Sequence, residues 1–189
     1  MNSRRIGLFG GTFDPPHFGH VAALRAAAAT GRFDRIEVTV AGDPYRKSGD
    51  GSVLTASVRL AMAQVAFADL PLVVVSDREI RREGPSYTID TVRELLAEAD
   101  SVDLIVGADL ALQLNGWRES DTLRTLVRVG VVPRPGSVTV LPEGWDGYEI
   151  PMDPVDLSST FIRGLGNSGE NLSKFVPAPV IALFEGARR

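Results

Sequence analysis

The stretch Ile6-Gly-Leu-Phe-Gly-Gly-Thr-Phe-Asp-Pro-Pro-His-Phe-Gly-His20 decides the fold of this 189-residue chain. Its apolar start, residues 6–9, predicts a buried strand, and the two glycines that follow mark the end of that strand. Residues 19–30 are rich in alanine and precede Gly31, a residue type that commonly ends helices, so they predict a helix. A strand, a glycine-rich turn and a helix are the start of a β-α-β unit.

Short apolar runs alternate with longer helical patterns along the rest of the chain. Further strands are predicted at residues 36–40, 72–75, 102–106, 127–132 and 148–151. Helices are predicted at residues 55–68, 89–99, 120–126, 158–165 and 178–187, with a short one after Asp109. This order predicts an α/β fold, a Rossmann-like doubly wound parallel sheet with helices on both faces. The length fits one domain, residues 1–189, in which residues 158–189 form a small helical C-terminal segment.

The motif that begins at Gly10 lies where a ligand is expected, because doubly wound sheets bind ligands beyond the carboxyl ends of their strands. Gly10 and Gly11 allow a ligand to approach the main chain closely. His17 and His20, the only histidines of the chain, are three residues apart and share a helix face. Both imidazoles can therefore face the start of the first helix, where N–H groups and the helix dipole favour a phosphate.

The residues of this motif alone also allow a pair of ordinary histidines at a helix start, or a metal site. Two histidines without a nearby acidic or cysteine ligand set make a poor metal site, so we expect no metal ligands from the protein. The glycines lack the Gly-Lys-Ser/Thr ending of a Walker-type loop, which excludes that class. They also lack the spacing of a dinucleotide-binding loop, which argues against an NAD-dependent oxidoreductase.

The composition narrows the function classes further. The formal net charge is −4, which argues against broad binding of nucleic acid or anionic membranes. The absence of cysteine excludes disulfides, cysteine-ligated zinc and thiol catalysis. No apolar stretch approaches the roughly 18 residues that span a bilayer, and residues 6–9 are too short for a signal peptide. We expect a soluble, cytoplasmic protein with small-molecule partners and with neither nucleic-acid nor membrane partners.

A second segment, Ser158-Ser-Thr-Phe-Ile-Arg163, also suits phosphate. Hydroxyls and amides at a helix N-terminus can surround phosphate oxygens, and Arg163 adds a forked cation; the alternative is a plain N-cap beside a surface arginine. The first segment resembles the HxGH signature of the nucleotidylyltransferase superfamily, and residues 158–163 resemble the second signature of that superfamily. The longer form Gly-Gly-Thr-Phe-Asp-Pro-x-His-x-Gly-His is most similar to the bacterial nicotinate-nucleotide adenylyltransferases.

This resemblance implies an ATP site built from both segments and from two strand ends between them. Asp109 would face the ribose, since a carboxylate at a strand end can accept hydrogen bonds from hydroxyls. Arg134, in a Pro-Arg-Pro-Gly element, would meet the phosphates. The implied ATP-binding residues are Gly10, Gly11, Thr12, Phe13, His17, His20, Gly107, Asp109, Arg134, Ser159, Thr160 and Arg163. The catalytic residues among them would be Thr12, His17, His20 and Arg163.

The resemblance also implies a site for a pyridine mononucleotide, with a tryptophan stacked on the ring and a lysine on the phosphate. The implied residues are Lys47, Ser86, Tyr87, Thr88 and Trp117. From the residues alone, a loop with a Thr/Asp helix cap is the better account of Ser86, Tyr87 and Thr88, and a partly buried core tryptophan is the alternative for Trp117. The stretch before Lys47 departs from the family pattern, with Ala41 in place of a proline and no histidine.

The implied reaction is attack by a phosphate oxygen of nicotinate mononucleotide on the α-phosphorus of ATP, which gives nicotinate adenine dinucleotide and pyrophosphate in NAD biosynthesis. The nucleophile is already an anion, so catalysis consists of positioning and charge neutralisation, without a side-chain base. Mg²⁺ would travel with the ATP phosphates. The alternatives are another acceptor (nicotinamide mononucleotide, phosphopantetheine or a sugar phosphate) and a non-catalytic nucleotide-binding protein; a homo-oligomer is also left open.

Overall fold

Six parallel strands form the central sheet of the computed structural model, which describes residues 4–43, 53–137 and 139–188. The strands are β1 (Arg5–Gly11), β2 (Arg35–Val40), β3 (Val73–Ser76), β4 (Ser101–Gly107), β5 (Val127–Val132) and β6 (Gly147–Glu149). They lie in the order β3-β2-β1-β4-β5-β6, and each neighbouring pair is parallel. The strand order reverses between β1 and β4, so the predicted doubly wound α/β fold is confirmed.

The helices of the described residues agree closely with the predicted ones. They are α1 (Phe18–Ala29), α2 (Ala56–Phe67), α3 (Arg78–Arg81), α4 (Thr88–Leu96), α5 (Ala108–Ala111), α6 (Ser120–Leu126), α7 (Ser159–Asn167) and α8 (Ala178–Gly186). Two 3-10 helices lie at Leu114–Gly116 and Leu172–Lys174. The sequence did not predict these two turns or α3, because three or four residues are too few to show a helical period. No helix in these ranges combines the length and apolar character that crossing a membrane requires.

The sheet separates two hydrophobic clusters, because side chains alternate between its faces along each strand. On one face, Ile6 and Leu8 of β1 belong to a cluster with buried residues of α4, α5 and α6. On the other face, Phe9 belongs to a cluster with buried residues of α1 and α2. The segments that follow β1 and β4 lie at the carboxyl edge of the sheet, and Phe13 and Ala108 join them to the two clusters.

The C-terminal helices pack on α2 and reach the start of α1. Met62 of α2 lies in a third buried cluster with Ile162 of α7 and Phe184 of α8. The backbone N–H of Phe18, the first residue of α1, donates a 2.9 Å hydrogen bond to the carbonyl oxygen of Phe175. The end of the chain therefore helps to position the helix that follows the histidine motif.

Replacing Phe184 with alanine tests how strongly α8 is coupled to the rest of the fold. Phe184→Ala should lower the free energy of unfolding by about 3–5 kcal/mol, because it removes a buried aromatic ring. The neighbouring Leu183 is 37% exposed. Leu183→Ala should therefore cost less than about 1 kcal/mol. Urea unfolding followed by circular dichroism measures both, and equal losses or a separate transition for α8 would contradict this packing.

Candidate active site

A cleft of about 500 Å³ opens at the carboxyl ends of β1 and β4, where the strand order reverses. Doubly wound sheets bind their ligands at this position. The lining includes the predicted ATP-site residues Gly10, Gly11, Thr12, Phe13, His17, His20, Gly107, Asp109, Arg134, Ser159 and Thr160. It also includes the predicted acceptor-site residues Ser86, Tyr87, Thr88 and Trp117. Arg163 is not part of the lining, and Lys47 lies outside the described residues.

The two histidines form a stacked pair at the start of α1. Their ring centroids are 3.8 Å apart, and the ring planes differ by 27°. His17 is the N-cap residue of α1, and its backbone N–H donates to Nδ1 of His20 at 3.2 Å. An Nδ1 that accepts this bond leaves the proton of a neutral His20 ring on Nε2. The pair thus lies beside a helix N-terminus, where a phosphate is favoured.

Burial keeps His17 in its neutral form. The residue is only 4% exposed, and burial, together with the charge of Arg134, lowers its pKa to about 4. Among the described residues, its Nδ1 makes no hydrogen bond. A Cβ atom on Gly19 would lie 3.0 Å from that nitrogen, so the glycine between the histidines leaves room for the ring. The His17 ring is therefore closely enclosed at the start of α1.

Phe13 gives the loop after β1 its shape. Its backbone is left-handed, with φ of 52°, a conformation that costs energy for a residue with a side chain. The ring packs edge-on against Phe67 of α2 and against His20, with centroid distances of 5.7 and 5.1 Å. A Cβ atom on Gly11 would lie 2.8 Å from the same ring, which accounts for the glycine there. Packing therefore offsets the strain and supports His20.

Arg59 of α2 binds the loop after β1 through hydrogen bonds to its backbone. It is almost completely buried, at 1% exposure. Its guanidinium donates hydrogen bonds to the carbonyl oxygens of Thr12 (3.0 Å), Ala41 (2.7 Å), Gly42 (3.1 Å) and Leu54 (2.8 Å). Burial lowers the pKa of Arg59, although the nearby carboxyl group of Asp14 opposes the shift. One buried cation therefore joins the loops that follow β1 and β2.

The second sequence motif binds the back of the same loop. Ser158 caps α7 by accepting a 3.2 Å hydrogen bond from a backbone N–H of the first turn. The hydroxyl group of Ser159 donates to the carbonyl oxygen of Pro15 at 3.0 Å. Arg163 donates to the carbonyl oxygen of Asp14 at 2.9 Å. The two motifs are thus in direct contact, and Arg163 also donates to the hydroxyl group of Thr160, a residue that lines the cleft, at 3.2 Å.

Opposite charges meet on the β4 and β5 side of the cleft. The carboxylate of Asp109 accepts hydrogen bonds from Nε of Arg134 at 3.2 Å and from the hydroxyl group of Ser137 at 3.1 Å. Arg134 also donates to the carbonyl oxygen of Leu157 at 2.6 Å. The same guanidinium is close enough to His17 to lower the pKa of that residue. Arg134 therefore contacts Asp109, which is predicted to bind the ribose, and lies near His17 of the predicted phosphate site.

The end of the cleft that is predicted to bind the mononucleotide, here called the acceptor end, is formed by the loop before α4 and the segment before α6. The hydroxyl oxygen of Ser86 accepts a 3.0 Å hydrogen bond from the N–H of Gly42, which joins the loop to the end of β2. Tyr87 is the N-cap residue of α4 and lines the cleft, as do Trp117 and Arg118. The guanidinium of Arg118 lies 4.7 Å from the centre of the Tyr87 ring. Aromatic surface and a cation therefore face the same space.

Sequence reasoning missed Arg59, Arg118 and Glu79 as residues of this region. The signal for Arg59 was its place one turn before Met62, on the buried side of α2. The signal for Arg118 was its position next to Trp117. Glu79 lines the cleft from α3, a helix that the sequence did not predict. No group of three or more histidine, aspartate or glutamate side chains that could hold a metal occurs within the described ranges.

The fold, the stacked histidines and the two joined motifs define a nucleotidyltransferase. The Cytidylyltransferase-like family model matches residues 8–165. The probable nicotinate-nucleotide adenylyltransferase of Roseiflexus sp. is 37% identical, with 98% of this chain and 97% of the relative covered. That of Exiguobacterium sibiricum is 36% identical, with 96% of each chain covered. The chain therefore belongs to the nicotinate-nucleotide adenylyltransferase family of cytidylyltransferase-like proteins.

A solved structure supports the same fold at low sequence identity. Plasmodium falciparum nicotinic acid mononucleotide adenylyltransferase complexed with NaAD has a TM-score of 0.80 and 16% identity. The match covers 95% of this chain and 94% of that chain. The sheet and its surrounding helices are thus those of a known adenylyltransferase fold.

Replacing Arg59 with lysine tests the buried guanidinium. A single ammonium group cannot reach four carbonyl oxygens, and those left without a donor stay buried, so the free energy of unfolding should fall by at least about 3 kcal/mol. Arg25 of α1 is exposed, and Arg25→Lys is the matched control, with an expected change within about 0.5 kcal/mol. Urea unfolding compares the two variants. An equally small change for Arg59→Lys would contradict its role.

The neutral state of His17 predicts a pH dependence. The unfolded imidazole takes up a proton near pH 6.5 and the folded one only near pH 4, so the folded state loses stability as the pH falls through this window. When the pH falls from about 7.5 to about 4.5, the free energy of unfolding should fall by about 2–3 kcal/mol less in His17→Asn than in the original chain. Urea unfolding of both chains measures the difference. An NMR titration midpoint of His17 close to 6.5 would contradict its burial as a neutral base.

Proposed function

We propose that the chain is a nicotinate-nucleotide adenylyltransferase, which joins ATP and nicotinate mononucleotide to give nicotinate adenine dinucleotide and pyrophosphate in NAD biosynthesis. The observation that carries this proposal is one cleft that combines a stacked histidine pair at a helix N-terminus with an aromatic end at Tyr87 and Trp117. A phosphate suits the first end, and a flat pyridine ring suits the second. The names of the relatives support the same pair of substrates.

In this proposal, the α-phosphate of ATP lies at the start of α1, in the ATP half of the cleft. His17, His20 and the amide of Thr12 stabilise the negative charge that builds up there, and Arg134 turns toward the leaving phosphates. Asp109 accepts hydrogen bonds from the ribose hydroxyls. Arg163 contributes through the loop, because it binds the carbonyl oxygen of Asp14. Mg²⁺ would arrive with the ATP phosphates and would neutralise part of their charge.

The acceptor half orients the mononucleotide for attack. The backbone around Ser86, Tyr87 and Thr88 and the indole of Trp117 hold the pyridine ring, and Lys47 binds the phosphate. An oxygen of that phosphate then attacks the α-phosphorus of ATP, and the bond from this phosphorus to the β-phosphate oxygen breaks as pyrophosphate leaves. Residues 1–189 act as one domain in this proposal, since Ser159 and Arg163 of the C-terminal segment contact the loop after β1.

An assay of pyrophosphate release tests the proposed reaction. With ATP as donor, nicotinate mononucleotide should give the highest kcat/KM in a panel with nicotinamide mononucleotide and phosphopantetheine, and chromatography should show the dinucleotide in equal amount. Release with phosphopantetheine alone would contradict the proposed acceptor. ATP binding without release with any of the three would indicate a non-catalytic protein.

The same assay tests His20 as a catalytic residue. His20→Ala should lower kcat at least about 100-fold, as expected for loss of a donor to the transition state. Its free energy of unfolding should fall by no more than about 2 kcal/mol, mainly through loss of the hydrogen bond from the N–H of His17. Arg25→Ala, on an exposed part of the same helix, is the control for general effects on α1. An unchanged kcat for His20→Ala would remove this residue from the mechanism.

A further inference from the structure

Arg118 brings a positive charge to the end of the cleft that is lined by Tyr87 and Trp117. Apart from the two histidines, Arg118 and Arg134 are the basic side chains among the described residues that line the cleft. Arg134 is paired with Asp109. No carboxylate of the described residues lies within 4.0 Å of the Arg118 guanidinium, so this cation has no ion-pair partner there.

The neighbouring carboxylate is already occupied. Glu119 accepts two hydrogen bonds from the guanidinium of Arg93 on α4, at 3.3 and 2.6 Å. These hydrogen bonds, and to a smaller extent the charge of Arg118, lower the pKa of Glu119, so it stays ionised and bound to Arg93. Its backbone is left-handed, with φ of 51°, and turns the chain at the start of α6. The two consecutive side chains therefore have different surroundings: Glu119 binds Arg93 of α4, and Arg118 lines the cleft.

One aromatic ring lies beside the cation, and a second aromatic residue lines the same cleft. The Arg118 guanidinium lies 4.7 Å from the centre of the Tyr87 ring, a distance at which the ring face attracts it. Trp117 precedes it in the chain and lines the same cleft. The site thus offers flat apolar surface for a ring and one cation for a group attached to that ring. A planar aromatic ligand with an anionic substituent fits this combination.

We propose that Arg118 makes the enzyme select the acid form of the acceptor, by pairing with the carboxylate of the pyridine ring. This inference rests on the proposed function and deepens it. A guanidinium presents parallel N–H groups that match the two oxygens of a carboxylate. A carboxamide is neutral and offers one oxygen, while its own N–H groups would face those of the arginine. The amide substrate therefore gains less from the same residue.

Kinetics with the two pyridine mononucleotides test this assignment. Arg118→Gln should lower kcat/KM for nicotinate mononucleotide about 10- to 100-fold, as for loss of a charged hydrogen bond, and should change that for nicotinamide mononucleotide less than about 3-fold. KM for ATP should stay unchanged. Arg118→Lys keeps the positive charge but loses the paired N–H groups of the guanidinium. It should therefore retain more of the preference for the acid than Arg118→Gln does.

Arg32 offers a matched control, because its guanidinium lies 4.1 Å from the centre of the Tyr148 ring and borders a separate pocket at the other edge of the sheet. Arg32→Gln should leave both substrates unaffected. Equal losses for the acid and the amide in Arg118→Gln, or no loss for either, would overturn the role of Arg118 and leave the proposed reaction standing. A wild-type chain that releases no pyrophosphate with either mononucleotide would overturn both proposals.

Discussion

The buried guanidinium of Arg59 is the interaction on which the rest of the site depends. A cation removed from water is costly unless its N–H groups are bonded, and four carbonyl oxygens of the surrounding loops supply the bonds. The same carbonyl groups could not be buried together without such a donor. The ends of β1 and β2 therefore take fixed positions relative to α2, and the histidine motif is built on the first of them.

A second set of contacts extends this arrangement to the end of the chain. Ser159 and Arg163 bind carbonyl oxygens of the loop after β1, while Phe175 accepts a bond from the first residue of α1. Side chains from α2 and α7 thus bind the outer side of the loop, and its inner side faces the cleft. Such support keeps the histidines in place, and placement is what a reaction between two anionic substrates requires.

Sequence patterns predicted the elements well and the connections between them poorly. Strands such as β5 and helices such as α6 have regular apolar patterns, so their bounds were predicted correctly. The helix α3 has only four residues, and its Arg78 pairs with the buried Glu37, a contact across 41 residues that no local pattern shows. Similarly, the carbonyl partners of Arg59 on the loops after β1 and β2 are 17 to 47 residues away, and carbonyl groups carry no sequence signal. Most predicted site residues line one cleft, and Arg163 binds the carbonyl oxygen of Asp14 in the loop after β1, a partner that no sequence pattern indicates.

A crystal structure of the chain with α,β-methylene-ATP would test the central claim most directly, because this analogue keeps the triphosphate intact. The α-phosphate should lie at the N-terminus of α1, within about 3.2 Å of a ring nitrogen of His20, with the ribose next to Asp109. A triphosphate bound away from the start of α1, with the histidine pair out of contact, would contradict the assignment of the histidine motif to the α-phosphate.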